Sequence, residues 1–95
     1  MIITPVSSSA LFTAVTATHA EFGATMVAQR LYQFVSSTNC WIKQGTAPVA
    51  AASTAANIFV PANVLVFLDG GVGPDVSVVR DTADGKASLV AVKTY

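Results

Sequence analysis

Charge is what this sequence has least of. Only 11% of its 95 residues are Asp, Glu, Lys or Arg, against roughly 25% in an ordinary soluble domain. Five cations balance five anions, so the formal net charge is zero. Without a cationic excess there is no electrostatic footprint for a phosphate backbone, and nucleic acid is not an expected partner. The single cysteine, Cys40, excludes an intrachain disulfide and a cysteine-based zinc site. The longest apolar stretch, Ile58 to Leu68, contains Pro61 and Asn63. It falls short of the about 18 apolar residues of a membrane-spanning helix, so no membrane partner is expected. No Lys or Arg occurs in the first 20 residues, so the basic start of a secretory signal is missing. The chain reads as made and kept in the cytoplasm, or built into something assembled there.

Catalytic chemistry is equally thin. His19 is the only histidine, and no Gly-x-Ser-x-Gly elbow accompanies it to suggest a nucleophile triad; it reads as a surface or interface residue. Glu21 is the only glutamate. The four aspartates, Asp69, Asp75, Asp81 and Asp84, lie in or beside turn sequences, where a short carboxylate stabilises local backbone. Asp81 and Asp84 have no EF-hand spacing for calcium. Gly70, Gly71 and Gly73 follow a strand pattern but precede Pro74 and a Val-rich run. A phosphate loop needs a helix there. Cys40 has only Lys43 near it to lower its pKa and reads as buried and inert. Trp41 and Tyr32 have no basic groove to make them a base-stacking platform; they read as core or subunit-contact aromatics. No enzyme activity, cofactor or metal is expected.

What is abundant is β-forming. Val, Ile and Thr number 14, 4 and 10, whereas Leu numbers 5 and Glu 1. Branched Cβ atoms suit a pleated strand better than a helix. Hydrophobic residues make up 53% of the chain, so disorder is excluded. Residues 1–10 read as an N-terminal arm, with Ile2 and Ile3 before Pro5 and then a serine spacer. Residues 11–95 read as one β domain. Its strands are expected at Leu11–Thr16, Met26–Ser36, Cys40–Lys43, Ile58–Val60, Val64–Leu68, Asp75–Arg80 and Ala87–Thr94. Residues 19–28 read as a turn leading into a strand. The Ala-rich segment Ala50–Asn57 reads as a surface loop, with one helical turn as the alternative.

Two polar links, Ser36–Asn39 and Asp81–Gly85, suggest β-hairpins, the second with Gly85 at a positive φ. Strands at this spacing predict an all-β fold, a small antiparallel sandwich or barrel of about six to eight short strands. Several strands are apolar on both faces: Val64, Val66 and Leu68 alternate with Leu65 and Phe67. A strand apolar on both sides is covered on both sides, whereas a two-layer sandwich covers one. Another subunit is the natural second cover. The predicted assembly residues are Ile2 and Ile3 in the arm, Phe12, Trp41, and Ile58 and Val60 on a sheet edge that ends at Pro61. A homo-oligomer, dimer or trimer, is expected.

The run from Met26 to Gly45, the Gly45-Thr-Ala-Pro48 loop, Phe59-Val60-Pro61-Ala62, Val76-Ser77-Val78 and Gly85-Lys86-Ala87-Ser88-Leu89 resemble small β-rich virion proteins of tailed bacteriophages. The likeness spans residues 26–95 and excludes the Asp69–Pro74 loop. It implies a head decoration or cement protein that binds the major capsid protein or other virion subunits and stabilises the shell without catalysis. The localisation it implies is the virion, assembled in the host cytoplasm. A tail or neck structural protein, or a small cellular ligand-binding sandwich, is the alternative. The resemblance carries over no functional residue.

Overall fold

The computed structural model describes residues 3–5, 11–18, 20–22, 26–27, 30–45 and 58–94. They form nine strands: β1 (Ile3–Pro5), β2 (Leu11–Val15), β3 (Ala20–Glu21), β4 (Leu31–Ser36), β5 (Cys40–Gly45), β6 (Ile58–Val60), β7 (Val66–Asp69), β8 (Asp75–Arg80) and β9 (Gly85–Thr94). One sheet runs β9-β4-β7, with β1 and β2 pairing with the two ends of β9. The other runs β3-β8-β5-β6. All pairings are antiparallel. The all-β expectation holds, and of its two forms the sandwich is the one observed. The strand number exceeds the expected range because β3 falls in what reads as a turn and β1 in what reads as an arm.

Alternation places the core. On β9, Ala87, Leu89 and Ala91 are buried while Ser88 and Val90 are only half-buried. Leu89 pairs with both Leu11 and Phe34, and Phe34 with Val66, so one inner row crosses the sheet. The facing sheet supplies Cys40, Ile42, Val60, Val76 and Val78. Phe22 meets Phe34 edge-to-face, with ring centroids 6.0 Å apart and planes at 83°. Met26, which reads as the start of a strand, is buried in this core ahead of β4.

Neither expected hairpin exists. β4 and β5 lie in different sheets, as do β8 and β9, so Ser36–Asn39 and Asp81–Gly85 are arches that carry the chain across the sandwich. The arches bind each other. Ser37 N–H donates to the Lys86 carbonyl at 2.8 Å and Asp81 N–H to the Asn39 carbonyl at 2.9 Å. Thr38 Oγ1 donates to the Ala83 carbonyl, and Lys86 N–H to Ser37 Oγ. The pairing follows from topology: β4 neighbours β9 in one sheet and β5 neighbours β8 in the other. Gly85 is not in the left-handed region. A Cβ there would lie 2.6 Å from Ser37 Oγ and 2.7 Å from Thr38 Cγ2, so glycine is required by the close approach of the two arches. Positive φ occurs instead at Asn63, at 63°, in the crossover from β6 to β7, where its N–H donates to the Ser36 carbonyl.

Candidate assembly surfaces

The outer face of the first sheet is unusually apolar. Register puts Phe12, Ser88 and Val35 in one row and Phe67, Gln33 and Val90 in the next. Phe12 is 74% exposed and Phe67 is also exposed. A groove runs beside Phe12, lined by Val35, Ser37, Asn63, Lys86 and Ser88. The residues Val64 and Leu65, just before β7, add exposed apolar surface. Their exposure fits the two-sided apolar pattern of that segment: Leu68 takes the core position and Phe67 the outer one.

On the second sheet, β6 is an edge strand. It consists of Ile-Phe-Val and carries none of the charged residues that usually blunt an edge. Ile58 is 62% exposed, and Phe59 is exposed on the opposite side of the strand. Trp41, Phe59 and Val79 form one outer row. The Trp41 and Phe59 rings meet with centroids 5.1 Å apart, and Trp41 Nε1 donates to Asp81 Oδ1 at 3.0 Å.

The predicted assembly residues are thus divided. Phe12 and Ile58 are exposed, on different sheets. Trp41 is half-buried under Phe59. Val60 is a correction: it is 1% exposed because alternation turns it into the core, opposite Cys40. The backbone of Ile3 pairs with Thr94 of the same chain. Ile2, His19 and the Ala-rich segment lie outside the described residues. Phe67, named in the two-sided apolar strand but not among the predicted assembly residues, is exposed, and Val72 was missed altogether. Val72 is 72% exposed in the turn after β7, where Gly70, Gly71 and Gly73 offer no side chain to cover it. An apolar residue enclosed by glycines was the signal.

Several polar side chains are engaged within the fold. Asp69 Oδ1 accepts from Gly71 N–H, Asp75 Oδ1 from Val76 N–H, and Asp84 Oδ1 from Arg80 at 2.6 Å. Gln44 Nε2 donates to the carbonyls of Asp69 and Gly73. Burial pushes the Cys40 thiol pKa up, against an opposing hydrogen bond with Ser36. Among the described residues no three His, Cys, Asp or Glu side chains converge as metal ligands would. What this arrangement offers chemically is apolar contact and strand pairing.

No protein-family model and no curated protein matches the chain. Its fold is similar to a solved structure from work describing Bacillus endospore appendages as a novel family of disulfide-linked pili. The TM-score is 0.56 at 13% sequence identity, over 96% of this chain and 83% of that one. At that identity the likeness is one of fold.

Proposed function

We propose that this chain is a non-catalytic structural subunit of a phage virion, a head decoration or cement protein that binds the capsid shell by apolar burial and strand pairing. The observation that carries the structural part is the placement of its exposed large apolar side chains. Phe12 and Phe67 lie on one sheet's outer face, Ile58 and Phe59 on an uncharged edge strand, and Val64, Leu65 and Val72 in the flanking crossovers. Patches of this kind are where subunits meet. The phage assignment rests on the sequence resemblance over residues 26–95, and its partner would be the major capsid protein or another virion subunit.

A subunit of a filamentous appendage is the second reading, favoured by the fold shared with a pilus protein. A covalent link of the kind that protein's description names has no obvious donor here, since Cys40 is fully buried. Immunogold electron microscopy of lysates from the producing cells separates the two. Label on phage heads supports the decoration role, and label along filaments supports the appendage role. Label only on dispersed, unassembled protein overturns both.

A further inference from the structure

The two most exposed large apolar side chains among the described residues, Phe12 and Val72, sit at opposite ends of the sandwich. Phe12 pairs through Ser88 with Val35 near one end of β4, and Asp69, which begins the Val72 turn, pairs with Leu31 at the other. Five to six residues of strand separate the levels of Lys86 and Asp69, about 20 Å at the usual rise.

Each apolar residue has a charge beside it, and the signs are opposite. Lys86 shares the groove with Phe12. Asp69 opens the turn that carries Val72, whose N–H donates to the Asp69 carbonyl at 3.1 Å. Neither Lys86 nor Asp69 has an ion-pair partner among the described residues; the pair formed there is Arg80–Asp84. Arg30 shares the Asp69 end, its carbonyl accepting from Gly70 N–H, without pairing to the Asp69 carboxylate.

We propose that copies of this chain associate head to tail. The Asp69–Val72 turn of one copy seats in the Phe12–Val35–Lys86–Ser88 groove of the next, with Val72 against Phe12 and the Asp69 carboxylate against the Lys86 ammonium. This deepens the structural reading above and rests on it. A second copy is the occupant because one chain carries both halves of the contact, complementary in charge. A two-fold arrangement of groove on groove would set Lys86 against Lys86, and turn on turn would set Asp69 against Asp69. A contact between two different patches that is not reciprocated by a two-fold within one pair does not stop at two copies; it closes into a ring or continues as a filament.

Complementing variants test this. Val72→Asp leaves the groove intact and spoils the turn; Phe12→Asp does the reverse. Both positions are exposed, and a circular dichroism melt confirms that each variant folds. By sedimentation velocity the wild-type chain is expected to form species larger than a dimer as its concentration rises. Each variant alone is expected to remain monomeric, its association weakened about tenfold or more, the effect of about 1.4 kcal/mol. Mixed in equal amounts, the two have one intact contact between them and should form a heterodimer that grows no further. Variants that assemble like the wild type overturn the contact while leaving the structural role standing. So does a mixture that stays monomeric, whereas a wild-type chain that stops at a dimer overturns the head-to-tail propagation, since a reciprocated two-fold pair closes at two copies. A wild-type chain that remains monomeric also overturns the contact, while immunogold labelling of particles reads the structural role independently.

Discussion

The indole N–H of Trp41 reaches Oδ1 of Asp81 at 3.0 Å, across 40 residues of sequence. The bond joins the outer face of β5 to the arch between β8 and β9. The Asp81 backbone N–H simultaneously reaches the Asn39 carbonyl. One residue therefore ties together both arches and the outer aromatic row. Replacing Trp41 with Phe keeps a ring against Phe59 and deletes the donor. The expected loss is about 1 kcal/mol, the usual net worth of one hydrogen bond, read as a lower midpoint in urea unfolding. Asp81→Asn, which retains an acceptor oxygen, should lose less.

Phe34 anchors the inner row. It is fully buried, pairs with both Leu89 and Val66, and meets the Phe22 ring in a T-shaped contact. Phe34→Ala is expected to cost about 3–5 kcal/mol. That is a large part of the about 5–15 kcal/mol that holds a typical domain together. Thermal unfolding followed by circular dichroism should show either a steep drop in Tm or a chain unfolded at room temperature. A shift of only a few degrees would mean that the row is not the centre of the core.

Gly73 passes so close to Gly45 that a Cβ on it would lie 2.6 Å from the Gly45 Cα and N. These are backbone atoms and have no rotamer by which to move away. Gly73→Ala should destabilise by about 1–3 kcal/mol through overpacking. For a domain of this size that lowers Tm by about 4–8 °C per kcal/mol. Gly71→Ala, in the same turn but exposed, is the control and should lose less.

Cys40 should be silent towards thiol reagents until the chain unfolds, because it is fully buried and the thiolate is the reactive form. Burial raises its pKa above the ordinary 9.0, opposed by the Ser36 hydrogen bond. The folded chain therefore keeps this proton at pH values where the unfolded chain releases it. The corresponding stability is complete below about pH 9 and declines as pH rises through the folded value. Urea midpoints at neutral and alkaline pH should fall further for the wild type than for Cys40→Ala. Rapid labelling of the folded chain by a thiol reagent would contradict the burial.

The sequence by itself determined the class of fold and most of the strands. Branched residues in alternation set β8 and β9, with Val76, Val78, Leu89 and Ala91 inward, and scarce charge marked a surface suited to contact. Local pattern reaches no further than local pairing. A polar link such as Ser36–Asn39 reads the same whether the chain turns back in its own sheet or crosses to the other, because both need exposed backbone and small polar residues. Only the tertiary structure decided that both links are arches. Their close approach is what makes Gly85 necessary, and the pairing of β6 with β5 is what turns Val60 inward, opposite Cys40. The tertiary structure also set Phe12 beside Lys86 and Val72 beside Asp69 at opposite ends. Sheet order, fixed by which apolar faces bury each other best across long separations in sequence, put them there.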